Sequence, residues 1–507
     1  MNYSVSTASQ HEGDMMEDER CPTLWEKTLL PGLQNAPEQK FSFVYHDGGQ
    51  YERTFAEIMD DVMRVGLILK KLGIKASDPV GVAGRNGYAW LLADLSLLSV
   101  GSVPVALPVE ETADDINQAA ERLGLKALLT ADLPDDDPTE GQTLAPGIKF
   151  RSGNLPARAI PYGVATISFS SGTTGEKKAI ALTHAGINRT ISLSGRSWGI
   201  NSDDRILVVL PFSNFQQRLL CNVSIRYGAA SAIIPHPRLY QMMARVQPSV
   251  VLGPPSFFDI LTRIPNWTSV FGEHIRLMLT GSAPVPPALL DFASDHEIPL
   301  YEVYGSTEVG WISMNLPQAF KRGSSGRPVP GLSVAFDVDG ELIVRSDANQ
   351  ARCYVWGTDP EQATFRSDGW IATGDLGYLD DDGYLVLNGR KKSILITRSG
   401  VKLNPEAIER LIDGHHTVIR SCVQLSTDHS ILHGVVWIDN PQSIEEHAVR
   451  AHITRINRTL PSYSRVATLM FRPATELTVE SGILTGNQKL NRRAVAKLCI
   501  SKGCCND

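Results

Sequence analysis

At 507 residues the chain exceeds what one core organises, because single hydrophobic cores stop growing at about 250–300 residues and longer chains divide into domains. Hydrophobic residues make up 42% and charged residues 20%, which allows a sizeable core and excludes fibrous or wholly disordered classes. The net charge of −7, with no long cluster of Lys and Arg, supplies no basic field, so nucleic acid is not an expected partner.

The first twenty residues are polar and acidic and lack both the basic and the apolar region of a signal peptide. A disordered segment over 1–22 and a cytoplasmic location are the expectations. Apolar residues at helical spacing predict a helix over 55–73, ending at a glycine. A short apolar run at 79–84 reads as a strand, 88–101 as a second helix and 102–108 as another strand. The most apolar stretch, Trp90 to Val109, is interrupted by Asp94, Gly101 and Pro104, so it fails the test of about 18 uninterrupted apolar residues for a membrane span. It reads as buried helix followed by strand, and no membrane span is expected. Alternation of this kind predicts an α/β fold with largely parallel strands.

Strand-like runs continue at 205–212, 230–235, 249–255 and 275–284, each stopping at Gly or Pro. Ligands collect at the carboxyl ends of strands in open α/β sheets, so the loops after these runs are where a site is sought. From about Gly326 shorter strands, including 341–346 and 383–389, predict a β-rich subdomain. Beyond Lys392 a small α+β unit is expected, with helices at 404–413 and 443–460. The chain therefore divides into a large N-terminal domain of parallel α/β subdomains plus a β-rich subdomain over 23–391, and a small C-terminal domain over 392–507. Seven scattered cysteines have no zinc-type spacing and read as reduced thiols.

The segment SSGTTGEKK at 170–178 combines glycines, hydroxyl residues and lysines after a strand-like run. Backbone without Cβ atoms can wrap a phosphate, hydroxyls can donate to its oxygens and Lys offsets its charge. It is not the common nucleotide loop, which needs Lys directly after its second glycine, whereas Gly175 is followed by Glu176. An ordinary Ser/Thr/Gly surface loop has the same composition, and this segment alone does not choose between the two.

Four further motifs follow in order: GSAP at 281–284, YGSTE at 304–308, TGD at 373–375 and GRKKSILITRSGVKLNPEAIE at 389–409. As an ordered set over roughly residues 25–497 they resemble the adenylate-forming superfamily of acyl-CoA synthetases, luciferases and adenylation domains. Within it LPFSNFQQRL at 210–219 and LTVESGILTGNQKLNRR at 477–493 are most similar to long-chain acyl-CoA synthetases and acyl-AMP ligases. The resemblance implies activation of a small-molecule carboxylic acid by ATP and Mg²⁺ to an acyl-adenylate, then transfer to CoA as the probable co-substrate, or to an amine or a carrier protein. A domain swing about Lys392, with the C-terminal domain mobile, separates the two steps.

The resemblance also implies residue roles. Ser170, Ser171, Gly172, Thr173, Thr174, Gly175 and Lys178 would hold the terminal phosphates. Thr307 would touch the α-phosphate and Glu308 would bind Mg²⁺. Gly281, Ser282, Ala283, Tyr304 and Gly305 would enclose adenine, Asp375 would accept the ribose hydroxyls, and Arg390 would support ribose or phosphate. Lys489 would join the substrate carboxylate to the α-phosphate. Taken singly, Glu308 could be a helix-terminal acid, Asp375 a turn residue and Lys489 a solvated lysine. Lys177, Lys178 and Ala179 stand where the family pattern has Pro-Lys-Gly, and Asn214 stands where many relatives have a histidine gating the acyl pocket. Pocket candidates are Asn214, Phe215, Arg218, Gly253, Pro254, Thr280, Val309 and Trp311, a mostly neutral set that favours an apolar acid, with Arg218 as a structural alternative. A non-catalytic homologue that keeps only the fold is the reading from another class. The presence of Lys489, Glu308, Asp375 and Arg390 argues against it.

Overall fold

The first long helix shows how local sequence sets an element. Thr54 accepts from the Glu57 N–H at 3.2 Å while Glu57 accepts from the Thr54 N–H at 2.8 Å, and this capping box starts the helix Phe55–Lys71. Lys70 and Lys71 stand in its last turn, where positive charge suits the exposed carbonyls. Phe55, Ile58, Val62, Val65 and Leu69 form the buried stripe. Each such side chain contributes about 1.5–3 kcal/mol on full burial.

The apolar stretch beginning at Trp90 is a buried helix, Tyr88–Ser99, followed by the strand Val103–Ala106, as its composition predicts. The helix's single charge, Asp94, is 3% exposed and pairs at 3.0 Å with Arg218, also 3% exposed. Arg218 donates in addition to the Thr166 hydroxyl at 3.1 Å. Burial pushes the Asp94 carboxyl up and the Arg218 guanidinium down, and each charge opposes the other's shift.

The structure is a computed structural model that describes residues 22–45, 48–108, 113–131, 141–153, 160–171, 177–234, 238–264, 266–356, 364–441, 444–485 and 490–501. The N-terminal segment expected to be disordered lies almost wholly outside them. The middle of a nine-stranded sheet is parallel, in the order Leu300–Ser306, Leu277–Thr280, Val250–Gly253, Arg205–Val208, Ala230–Ile233 and Lys40–Val44. Antiparallel strands flank it on both sides.

An eight-stranded sheet is parallel only in its centre, among Val164–Ser171, Val103–Ala106, Pro79–Gly84 and Ala127–Ala131. The expectation of largely parallel strands therefore holds for the first sheet and for only part of the second. The difference arises where hairpins replace helical crossovers, as between Val164–Ser171 and Lys177–Thr183. One hydrophobic core joins residues of both sheets, including Phe41, Ile206 and Leu277 with Val80, Ala106 and Ala127.

The β-rich subdomain is a four-stranded antiparallel sheet of Leu332–Phe336, Glu341–Ser346, Ile371–Leu379 and Leu385–Arg390. Beyond it, the helices Pro405–Ile412, Ile444–Thr459 and Arg492–Ser501 accompany a three-stranded sheet, Arg420–Leu425, Leu432–Ile438 and Val466–Pro473. This part has its own core around Ile408, Val423, Val436 and Ile453. Cys221, Cys353 and Cys422 take part in no disulfide among the described residues. Among the described residues no helix is long and apolar enough to cross a membrane.

Candidate functional site

Two neighbouring parallel strands, Leu277–Thr280 and Leu300–Ser306, carry the residues expected to enclose adenine at their carboxyl ends. The loop after the first supplies Gly281, Ser282 and Ala283, and the second supplies Tyr304 and Gly305, followed by Thr307 and Glu308. A Cβ on Gly281 would lie 2.3 Å from the Val303 carbonyl oxygen, and one on Gly305 would lie 2.3 Å from that of Gly310. Both glycines are therefore demanded by close backbone approach. Ser282 has φ of 68° and donates through its hydroxyl to Gln216 Oε1 at 3.2 Å.

Tyr304, Asp375 and Arg390 form one cluster. Asp375 and Arg390 sit opposite each other in the antiparallel pair of Ile371–Leu379 with Leu385–Arg390. Arg390 Nε lies 2.9 Å from Asp375 Oδ1, and the Tyr304 hydroxyl donates to Asp375 Oδ2 at 2.5 Å. Burial and the Asp375 carboxylate push the Tyr304 hydroxyl well above its ordinary range, so it stays a neutral donor. Asp375 is 5% exposed and its carboxylate is fixed on both sides, which leaves a preorganised acceptor.

A second cluster gathers the phosphate end. The two ends of SSGTTGEKK belong to the antiparallel strands Val164–Ser171 and Lys177–Thr183, in which Ser170 pairs with Lys178 and Ser171 with Lys177. Gly172, Thr173, Thr174 and Gly175 lie outside the described residues. Lys178 Nζ is 4.5 Å from the ring centroid of Tyr354, and the Tyr354 hydroxyl donates to Glu308 Oε1 at 2.9 Å. The Gln350 side chain donates to the Thr307 carbonyl at 3.0 Å, and the Ala351 N–H donates to the Glu308 carbonyl at 2.8 Å. Tyr354 thus joins the hairpin lysine to the motif carboxylate, a link that no sequence motif announced.

Between these strand ends is a narrow cavity of about 10 Å³, measured as space for the centre of a water-sized sphere. That is room for about one water. Of the expected pocket residues Gly253, Pro254 and Trp311 line it, together with Gly281, Ser282 and Gly305. Leu210, Gln216, Gln217, Leu252 and Val303 also line it and were missed. Leu210, Gln216 and Gln217 lie within the motif LPFSNFQQRL already singled out, whereas Leu252 and Val303 carried no signal beyond their place in strand-like runs. Gln217 Oε1 accepts from the Val209 and Leu210 N–H groups at 2.8 and 3.2 Å, tying the helix Phe215–Tyr227 to a strand end.

The other expected pocket residues are placed elsewhere. Asn214 is the N-cap of the helix Phe215–Tyr227, its side chain accepting from the Gln216 N–H at 3.1 Å. Phe215 packs 5.3 Å from Arg218, which is engaged by Asp94. Thr280 is fully buried, and Val309 belongs to the core of the four-stranded sheet. Lys392 lies in the turn Lys391–Ser393 that follows Leu385–Arg390, whereas Lys489 lies outside the described residues.

A family model described as AMP-binding enzyme matches residues 33–355, well over half of the chain. The chain belongs to the AMP-binding enzyme family. This places it in the adenylate-forming superfamily, in agreement with the ordered motifs, and it is an enzyme of the AMP-forming ligase kind. It is 25% identical over 482 residues to the long-chain-fatty-acid–CoA ligase FadD15 of Mycobacterium bovis, with 79% of each chain covered. It is 26% identical over 398 residues to the 2-succinylbenzoate–CoA ligase of Bacillus cytotoxicus, with 74% of this chain and 81% of the relative covered. The fold is similar to that of the anthranilate CoA ligase AuaEII in complex with anthranoyl-AMP, with a TM-score of 0.78, 20% identity, and 94% and 98% of the two chains covered.

Among the described residues no group of three or more His, Cys, Asp and Glu converges on one point. The carboxylate of Glu308, held by Tyr354, nevertheless fits Mg²⁺, a hard ion that commonly takes one or two carboxylates and completes its shell with phosphate oxygens and water.

Two further acids in the enzyme are shifted. Burial raises Glu302, two residues before Tyr304, to about 7 against the pull of Arg410, and its Oε2 has no partner beside the equally unpartnered Thr280 hydroxyl. Burial raises Asp413 to about 7 against Arg420. An acid whose folded value exceeds its unfolded one binds its proton more tightly when folded. Its contribution to stability is complete below the unfolded value and is lost as pH rises through about 7. Burial pushes His184 down to about 4 and also lowers His415 and His433, and these imidazoles act in the opposite sense, so the acids are tested by difference. Between pH 5 and 8 the thermal midpoint of Glu302→Gln and of Asp413→Asn should fall less, or rise more, than that of the unaltered protein, and an unchanged slope in both variants would contradict the assignment.

Proposed function

We propose that the enzyme condenses ATP with a carboxylic acid to give an acyl-adenylate and pyrophosphate, and then transfers the acyl group to CoA. The observation that supports this best is the meeting of two clusters on the strand Leu300–Ser306. Tyr304, Asp375 and Arg390 suit a ribose and base, and Glu308, Tyr354 and Lys178 suit phosphate and cation. A nucleotide spanning them would place its α-phosphate near Thr307 and the cavity.

In the first step a carboxylate oxygen attacks the α-phosphorus and the bond to the bridging oxygen of pyrophosphate breaks. Glu308 would hold Mg²⁺, which when bound would supply charge neutralisation. Lys178 and the rest of SSGTTGEKK hold the departing pyrophosphate, and Lys489 offsets the repulsion between carboxylate and α-phosphate. Asp375 fixes the ribose. In the second step a thiolate attacks the acyl carbon and AMP departs with the electron pair.

The domain boundary at 391/392 and the hinge at Lys392 belong to this reading, as does a cytoplasmic location, where ATP and CoA are supplied. The CoA ligase names of the relatives support CoA as the acceptor. The neutral lining of Gly253, Pro254, Gln216 and Trp311 suits an acid with no second charge at that end. The test supplies ATP, Mg²⁺ and a panel including dodecanoate, 2-succinylbenzoate and anthranilate, and follows pyrophosphate exchange into ATP. CoA, an amine and a carrier protein are then offered separately and the products weighed. No exchange with any acid overturns the first step. An amide or a carrier-bound thioester in place of the CoA ester overturns the acceptor.

A further inference from the structure

One strand, Ala351–Trp356 at the edge of the eight-stranded sheet, touches both of the motifs expected to face phosphate. It pairs antiparallel with Lys177–Thr183, Tyr354 standing opposite Ile180 and Trp356 opposite Ala179. At its start the Gln350 side chain and the Ala351 N–H hold the Thr307 and Glu308 carbonyls, at 3.0 and 2.8 Å. The main chain of this strand therefore sets how far the residues after Tyr304 stand from the strand that carries Lys178.

A main-chain tie leaves long side chains free to rotate, and ordering them only when a ligand arrives weakens its binding. Tyr354 removes that freedom on both sides. Its hydroxyl donates to Glu308 Oε1 at 2.9 Å, and its ring centroid lies 4.5 Å from Lys178 Nζ, where the negative face of the ring attracts the ammonium. The ring is itself seated, with Phe365 packed edge-on at a centroid distance of 5.2 Å and the Thr364 hydroxyl 3.4 Å from the Tyr354 oxygen.

A bond to Oε1 orients the carboxylate and leaves Oε2 for a cation. A neutral phenol between Glu308 and Lys178 seats both groups without cancelling either charge. The two contacts use different parts of one side chain, so they can be removed separately.

We propose that Tyr354 is a positioning residue for the metal-binding carboxylate, its hydroxyl presetting Glu308 for Mg²⁺ while its ring presets Lys178 for phosphate. The proposal rests on the reading of Glu308 as the Mg²⁺ carboxylate and of Lys178 as a phosphate-binding lysine.

The test makes Tyr354→Phe, Tyr354→Leu, Glu308→Ala and the double variant Tyr354→Phe with Glu308→Ala in the full chain. Mn²⁺ binding is followed by electron paramagnetic resonance in protein saturated with an ATP analogue whose α–β bridging oxygen is replaced by methylene. The Mg²⁺ dependence of pyrophosphate exchange is measured in parallel with the acid panel above. Losing an outer partner of a metal ligand commonly costs about ten- to hundredfold in affinity, and phosphate oxygens share the ion here, so the Mn²⁺ dissociation constant should rise about tenfold in Tyr354→Phe. Saturating Mg²⁺ should bring exchange in that variant back to within about threefold of the unaltered rate. The KM for pyrophosphate should stay within about twofold in Tyr354→Phe, which keeps the ring, and rise about three- to tenfold in Tyr354→Leu, which loses it. With Glu308→Ala already in place there is no carboxylate to orient, so Tyr354→Phe should add less than about twofold to the Mn²⁺ constant.

An unchanged Mn²⁺ constant in Tyr354→Phe overturns the proposal. So does a rise that persists undiminished in the double variant, or a loss of exchange that Mg²⁺ does not recover, the mark of a merely structural tyrosine. An unchanged pyrophosphate KM in Tyr354→Leu overturns the part given to the ring. Mn²⁺ binding that Glu308→Ala leaves unaltered overturns the reading of Glu308, and the proposal with it. No exchange in the unaltered protein overturns the adenylation reading, while the Mn²⁺ titration still decides what Tyr354 does for Glu308.

Discussion

Lys489→Ala is expected to lower acid-dependent pyrophosphate exchange by about a hundred- to a thousandfold, the range for removing one preorganised stabiliser of developing charge. The carboxylate and the α-phosphate are both anionic, and the barrier to joining them is largely their repulsion. A cation placed between them acts only as they approach, so its removal should cost rate and leave ATP affinity within about threefold. The ATP contacts expected of Asp375, Glu308 and Lys178 are untouched by the change. Conversion of supplied acyl-AMP to acyl-CoA should survive. Exchange at the unaltered rate would remove Lys489 from the mechanism.

The second large effect concerns binding. In Asp375→Asn a charged acceptor becomes a neutral one, and a hydrogen bond to a charged group is worth about 1.5–3 kcal/mol. The KM for ATP should therefore rise by about ten- to hundredfold. The kcat at saturating ATP should change far less, because ribose contacts hold ground state and transition state alike. Arg390 loses its ionic partner in the same variant, so the thermal midpoint must be followed alongside. An unchanged KM for ATP in a folded variant would mean that Asp375 serves the local structure only.

The elements of the α/β core were legible because each carries its own signal. The capping box at Thr54 and Glu57 and the stripe beginning at Phe55 are written within one helix. The four-stranded sheet and the C-terminal helices were legible for the same reason. Hairpins were harder, since a strand's sequence does not reveal the direction of its neighbour, and the strands that flank the phosphate segment proved to be antiparallel.

In the site, the motifs named Tyr304, Glu308, Asp375 and Arg390, and the fold brings them together. The residues that hold them were not legible. Tyr354 reaches Glu308 across 46 positions, and no local pattern encodes such a partner. Arg218 looked like a pocket residue because it lies near the motif LPFSNF. Its actual partner is Asp94, 124 positions away.

That last pair constrains how the sequence can drift. Losing either charge alone strands the other in the core, at a cost of about 3–5 kcal/mol, whereas replacing both with apolar residues of similar volume is often neutral or favourable. Against a total stability of about 5–15 kcal/mol, the one-step intermediates are close to lethal for the fold. Asp94 and Arg218 therefore tend to be kept or lost together. A lineage that abandons them must cross a valley in a single double change, or first accumulate stability elsewhere to survive the crossing.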